Sequence, residues 1–114
     1  MSANRMDQIN ELLRSELALQ ISRSVELPDG SVVSITKVRT SPDLRHASVF
    51  VTIMPDKLSG TILKTLKKEL FNIGQEIAPK LSLRNFPRLQ VKIDETERSA
   101  AHIENLLDKI KENQ

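Results

Sequence analysis

The chain contains no cysteine, no tryptophan and no tyrosine, and only three phenylalanines and three glycines. The missing cysteine excludes disulfide frameworks, thiolate zinc sites and cysteine nucleophiles. Few aromatics mean that the core consists of Leu, Ile and Val, and they disfavour a sheet that stacks bases on aromatic platforms. Because Gly30, Gly60 and Gly74 are dispersed, they do not predict a phosphate-cradling loop of a nucleotide-binding protein.

Long apolar runs are also missing. The sequence contains neither a stretch that would span a bilayer nor the unbroken apolar run of a signal peptide, so we expect a soluble, cytoplasmic protein without a membrane partner. With 114 residues, 39% hydrophobic and 28% charged, the composition predicts one domain over residues 1–114. We expect it to be a monomer.

Positive charge is concentrated in one third of the chain. The residues from Lys57 to Lys92 include eight basic and two acidic side chains, a local charge of +6, whereas the whole chain carries only +2. The segments before and after it are net negative. This distribution is what a local anionic partner would require.

Hydrophobic periodicity predicts the order of the elements. A stripe at helical spacing indicates a helix over about Ala3 to Ser24. Two β-rich runs, Val32–Thr40 and Arg45–Met54, predict an antiparallel hairpin, with a bulge between Ile35 and Val38 where the alternation changes phase. A long helical pattern opens near Ser59. A strand over Leu89–Asp94 and a C-terminal amphipathic helix over about residues 96–114 follow. The economical arrangement is a three-stranded sheet with helices on one face.

The helical pattern after Ser59 places polar and apolar side chains on opposite sides. Five side chains fall within about a quarter turn of one another, away from the Leu and Ile stripe: Lys64, Lys67, Lys68, Phe71 and Gln75. The ammonium groups could neutralise phosphates and Phe71 could stack on a base or ribose. The alternative is a solvated lysine face with Phe71 packed under a neighbour.

Two breakers, Gly74 and Pro79, interrupt this pattern and predict two helical pieces. A break at Asn72-Ile73-Gly74 would expose backbone N–H groups at the start of the second piece and could seat a phosphate. A glycine that merely ends the first helix is the alternative.

Further basic residues continue the positive segment or flank the hairpin. Lys80, Arg84, Arg88 and Lys92 could extend the same surface, and Lys37, Arg39 and Arg45 form a weaker second group. Loop arginines are as often plain solubilising residues.

Signatures of an enzyme are nearly absent. His46 and His102 lie far apart without the spacing of metal ligands, so we expect no catalysis, no cofactor and no metal. A hydrolase that uses Asp94, Glu97 or His102 is a remote alternative.

Several local runs occur in a fixed order along the chain. They are Ile9 and Leu17 in the first helix; Asp43-Leu44, Ala47 and Val49-Phe50-Val51 within Val38–Ile53; Leu83-Arg84-Asn85-Phe86-Pro87-Arg88-Leu89; and Asp94 with Ile103, Leu106 and Leu107. Together with the order of the elements, these runs resemble the bacterial ribosome-binding factor A family across nearly the whole chain.

The resemblance implies an α+β, type II KH-like fold of order α-β-β-α-kink-α-β plus the C-terminal helix, which looks like a structural or exchange-prone tail. In this family the kinked junction usually reads Ala-x-Gly, and here it reads Asn72-Ile73-Gly74. The family's members bind the immature 30S subunit, assist late maturation of 16S rRNA near its 5′-terminal helix, and matter most in the cold. Other assembly factors, such as a GTPase, are further expected partners.

Two hypotheses therefore stand. The chain is an RNA-binding assembly factor that acts without catalysis, or it is a KH-like interaction module whose basic face meets an acidic protein.

Overall fold

The computed structural model describes residues 5–83 and 85–96. Within them the elements are α1 (Arg5–Ser24), β1 (Val32–Thr40), β2 (His46–Met54), α2 (Ser59–Ile77) and β3 (Arg88–Ile93). A short 3-10 helix precedes α2 and another, Ala78–Lys80, follows it. The predicted C-terminal helix lies almost wholly in 97–114, outside the described residues, as do residues 3 and 4 of the predicted first helix.

The three strands form one mixed sheet in the order β1-β2-β3, with β2 antiparallel to β1 and parallel to β3. The predicted hairpin and bulge are confirmed: Ile35 pairs with Val51 and Lys37 with Phe50, which leaves Thr36 as the extra residue. Since a bulge shifts the alternation by one residue, both Ile35 and Val38 turn toward the core.

Both helices cover the same face of the sheet, as predicted. Helix α1 contributes Leu13, Leu17 and Ile21 to a core that alternate residues of β2 complete. Those residues are Ala47, Val49, Val51 and Ile53, and α2 adds Ile62, Leu66, Leu70, Ile73 and Ile77. Full burial of each Leu or Ile is worth about 1.5–3 kcal/mol, so this core holds the helices on the sheet.

The prediction that Gly74 breaks the helix is wrong. Helix α2 continues to Ile77, and the amide of Ala78 still donates to the carbonyl of Gly74. A helical glycine costs only about 1 kcal/mol relative to alanine, and buried Leu70, Ile73 and Ile77 on either side of it outweigh that cost.

The change in helical geometry comes at Pro79. Proline has no N–H to donate to the carbonyl four residues earlier, and from Ala78 the chain forms a 3-10 turn. The second helical piece is therefore this short turn. The α+β, KH-like fold implied by the resemblance is present, with its helix–break–helix element broken at Ala78 instead of Gly74.

Candidate nucleic-acid interface

An open cleft of about 1190 Å³ runs along the exposed side of α2. One wall is α2 with the residue after it, and the other consists of the β1–β2 turn and the segment that leads into β3. Helix residues on the cleft are Lys67, Leu70, Phe71, Gly74, Gln75 and Ala78, and across from them are Asp43, Leu44, Arg45, Asn85, Phe86, Pro87, Arg88 and Leu89.

The parallel pairing of β2 and β3 brings the two parts of the second wall together. Both strands begin at the same end of the sheet, where His46 pairs with Arg88. The amide of Arg88 donates to the carbonyl of Arg45 at 2.8 Å. The β1–β2 turn and the lead into β3 are thus joined through their main chains, and arginines 43 positions apart in sequence meet at one cleft.

Hydrogen bonds hold the β1–β2 turn in one shape. The Asp43 carboxylate accepts a bond from the Ser41 hydroxyl at 2.6 Å and another from the Arg45 amide at 3.0 Å. The Ser41 bond chiefly, and then the Arg45 amide, hold the pKa of Asp43 below its usual value. Between them Leu44 adopts a φ of 62°, a left-handed conformation that is unusual for leucine. The turn thereby presents Leu44 and Arg45 to the cleft.

Gly74 forms a close contact between the two walls. A Cβ placed on it would lie 3.2 Å from Cε1 of Phe86 and 3.5 Å from Cδ1 of Leu89. The absence of a side chain lets the segment before β3 approach the backbone of α2. Because α2 is unbroken here, the predicted seat of free N–H groups at Asn72-Ile73-Gly74 is absent.

The predicted polar face of α2 exists. Lys64, Lys67, Lys68, Phe71 and Gln75 are all exposed, and Phe71 is 69% exposed, which excludes the alternative that a neighbour covers its ring. Lys67, Phe71 and Gln75 line the cleft. Lys64 lies one turn earlier on the same side, and Lys68 and Asn72 lie toward the outer flank.

Only some of the other predicted residues lie on the cleft. Arg45 and Arg88 line the cleft, whereas Lys80 is exposed on the 3-10 turn without lining it. Arg84 lies outside the described residues. Lys37 and Arg39 belong to β1, and their alternation with buried Val38 and Thr40 places them on the opposite face of the sheet. The second basic group therefore does not form one surface. Lys92, next to buried Val91 on β3, lies on that opposite face too, so it does not extend the surface of α2.

Sequence reasoning missed Leu44, Asn85 and Phe86 as cleft residues. The run from Leu83 to Leu89 was matched to a family, but no local pattern shows that its phenylalanine meets a glycine twelve residues earlier. Only the pairing of β3 with β2 brings that about.

A sequence model of ribosome-binding factor A matches residues 5–107. The chain belongs to the ribosome-binding factor A family. Curated ribosome-binding factor A proteins that resemble it include those of Thermomicrobium roseum, 36% identical over 98% of this chain and 88% of the relative, and Clostridium kluyveri, 34% identical over 100% of this chain and 96% of the relative.

Solved structures of ribosome-binding factor A share the fold. The crystal structure of the Thermus thermophilus protein matches with a TM-score of 0.70 at 20% identity, covering 79% of this chain and 97% of that one. A homology model of the T. thermophilus protein, fitted into a cryo-EM map of a 30S complex, matches with a TM-score of 0.63 at 23% identity, covering 75% and 91%.

Nowhere among residues 5–83 and 85–96 do three His, Asp or Glu side chains gather within reach of one metal ion. No helix in this part of the chain combines the length and apolar character of a membrane span. Of the residues in the hydrolase alternative, Glu97 and His102 lie outside the described part.

Proposed function

We propose that this ribosome-binding factor A protein binds 16S rRNA of immature 30S subunits through the cleft beside α2 and assists late rRNA maturation near the 5′-terminal helix without catalysis. The observation that carries the proposal is the cleft itself. It combines an exposed aromatic ring, Phe71, with the cationic side chains of Lys67, Arg45 and Arg88.

The cleft suits a single-stranded RNA segment. Proteins recognise such segments by stacking unpaired bases on aromatic side chains and by pairing cations with phosphates. Phe71 offers a ring face, Lys67 and the two arginines offer charge, and Gln75 and Asn85 offer amide groups for base edges. Lys64 and Lys68 extend the positive charge along α2, and Lys80 and Arg84 belong to the same positive segment.

The mechanism is a shift in RNA population. A protein that binds one rRNA conformation better than its competitors raises the share of that conformation by its difference in affinity. Since alternative base-paired structures persist longer at low temperature, the effect is greatest in the cold. The protein acts in the cytoplasm, with another assembly factor such as a GTPase as a further partner.

The experiment that tests the assignment is co-sedimentation of the purified protein with small ribosomal subunits. A Lys64→Glu/Lys67→Glu/Lys68→Glu variant is expected to stay folded by circular dichroism and to lose sedimentation with subunits. The matched control, Arg5→Glu/Arg23→Glu/Lys57→Glu, changes three exposed cations away from the cleft and makes the same change in net charge. Equal sedimentation of both variants would remove the assignment.

A nuclease arm separates RNA from an acidic protein as the partner. Recovery of the protein with its complex from a native extract should disappear after RNase treatment. Recovery that persists after RNase would favour the interaction module with an acidic protein partner.

A further inference from the structure

The face of the sheet opposite the helices carries basic side chains that the cleft does not use. Along β2 the core residues alternate with His46, Ser48, Phe50, Thr52 and Met54, so these five belong to the face that neither α1 nor α2 covers. The register adds Lys37 and Arg39 from β1 and Gln90 and Lys92 from β3. Arg88 pairs with His46 and also lines the cleft, so it lies where the two surfaces meet. At the other end, Val32 pairs with Met54, and both are exposed. We call this surface the open face.

One row across the open face places two lysines beside an aromatic ring. Lys37 of β1 pairs with Phe50 of β2, and Phe50 pairs with Lys92 of β3. The Nζ of Lys37 lies 4.8 Å from the centroid of the Phe50 ring, a favourable position for a cation over an aromatic face. Phe50 thus holds Lys37 in place and, being covered by it, is not a free platform for stacking.

The next row is also polar and basic. Arg39 pairs with Ser48, and Ser48 with Gln90. Neighbouring strands lie about 4.8 Å apart, so each row spans about 10 Å. The open face therefore presents cations on both edge strands, with small hydroxyl and amide side chains available as hydrogen-bond partners.

Acidic groups near this face lie at one edge. Asp94 follows β3, and its carboxylate accepts bonds from the Thr36 hydroxyl and the Thr96 amide. The Asp94 carboxylate also interacts electrostatically with the ammonium group of Lys37. Glu95, the next residue, also interacts with another group of the protein. Arg39 and Lys92 keep the rest of the face positive.

We propose that the open face binds the sugar–phosphate backbone of a second RNA segment, so that the protein bridges two segments on opposite sides of its sheet. The proposal rests on the proposed function of the cleft. The occupant is RNA because the cations in the Phe50 and Ser48 rows sit among hydroxyl and amide side chains, and the Phe50 ring is covered by Lys37, which favours contacts to backbone phosphates over base stacking. Two linked contacts bind more tightly than either alone.

The first test is the salt dependence of RNA binding. Each phosphate neutralised contributes about 0.7 to the slope of log K against log salt for a single strand. A Lys37→Gln/Lys92→Gln variant should therefore lower the magnitude of the slope by about 1.4 on rRNA fragments. The control, Arg23→Gln/Lys57→Gln, removes the same charge from exposed positions outside both surfaces and should leave the slope unchanged. Equal slopes for the two variants would overturn the proposal.

The second test is bridging. An immobilised rRNA fragment should capture a second, labelled fragment only through the wild-type protein. The Lys37→Gln/Lys92→Gln variant should still bind the immobilised fragment but lose the labelled one. If this variant captures both, the open-face proposal fails and the cleft assignment stands. If a Lys64→Glu/Lys67→Glu/Lys68→Glu variant still binds the immobilised fragment as tightly as wild type, the cleft assignment fails instead.

Two other occupants give distinct results. A second copy of the chain would show as a wild-type dimer and a monomeric Lys37→Gln/Lys92→Gln variant in light scattering. A ribosomal protein would show as weakened binding to subunits with unchanged binding to naked rRNA. Either result overturns the proposal.

Discussion

The Thr36 hydroxyl donates a hydrogen bond of 2.6 Å to Oδ2 of Asp94. Thr36 is the extra residue of the bulge in β1, and Asp94 immediately follows β3, so the bond joins the two edge strands across β2. The other carboxylate oxygen accepts the amide of Thr96 at 2.9 Å. The Asp94 carboxylate thus bonds to both the bulge in β1 and the residues that follow β3.

We predict that Asp94 makes stability depend on acid pH. The Thr36 bond chiefly, then bonds from Thr96, lower the pKa of Asp94 from 3.8 to about 2. A carboxyl whose pKa is lower in the folded state stabilises that state above its unfolded pKa and loses this effect as pH falls through the folded pKa. Wild type should therefore exceed Asp94→Asn in urea stability at pH 6, and most of the difference should be lost as pH falls from 4 to 2. A difference as large at pH 2 as at pH 6 would contradict the role of the charge.

We predict that substitution by valine changes stability in opposite directions at Thr40 and Thr36, both on β1. The Thr40 hydroxyl is buried and finds no hydrogen-bond partner among the described residues, whereas its backbone amide donates to Oδ1 of Asn10 at 2.9 Å. Valine keeps the shape and removes the unsatisfied hydroxyl, which should stabilise by up to about 1 kcal/mol. Thr36→Val should destabilise, since it deletes the donor to Asp94. Urea unfolding of both variants checks the pair; a loss of stability in Thr40→Val would contradict it.

The contact between Gly74 and Phe86 can be measured by a double-mutant cycle. Gly74→Ala gains up to about 1 kcal/mol of helix propensity, but the new Cβ would press on the Phe86 ring. In a Phe86→Leu background that pressure is relieved, so Gly74→Ala should be more favourable there by about 0.5–1 kcal/mol. Gly60→Ala is the control, because nothing lies within 4 Å of a Cβ at Gly60; its effect should be equal in both backgrounds. Zero coupling for Gly74 would show that the ring does not set the spacing.

The contributions of Phe71 and Lys67 to RNA binding should differ in their dependence on salt concentration. Stacking of one base on an aromatic ring is worth about 1–3 kcal/mol, so Phe71→Ala should weaken binding about 5–150-fold without changing the salt slope. Lys67→Gln should lower the slope by about 0.7 on single-stranded RNA. Fluorescence anisotropy over a salt series measures both. A changed slope in Phe71→Ala, or an unchanged one in Lys67→Gln, would reassign the side chain.

Local periodicity was enough to predict α1, the hairpin and its bulge, because each depends on residues close in sequence. It also identified the lysine face of α2. It failed at Gly74, where a glycine inside a helical pattern signals a break if only neighbours are considered. The reason for that glycine is Phe86, and a contact between distant residues leaves no trace in helical spacing.

The candidate site shows the same division. Lys67, Phe71 and Gln75 could be predicted because they share one helix face. The separation of Arg45 from Lys37 and Arg39 could not, because it depends on a turn in which Leu44 adopts a left-handed conformation. Leucine gives no sequence signal for such a conformation.

The hydrogen bond between Arg88 and Arg45 involves only main-chain atoms. The shape of this wall of the cleft therefore does not depend on the charges of its side chains. This backbone bond holds the two parts of the second wall together, while the side chains of both arginines are exposed and can change without disturbing it. Substitution of these cations in a relative would change the affinity for the partner and the salt dependence of binding. The shape of the cleft would stay the same. Lengthening the turn at Ser41–Arg45, by contrast, would alter the groove in a single step.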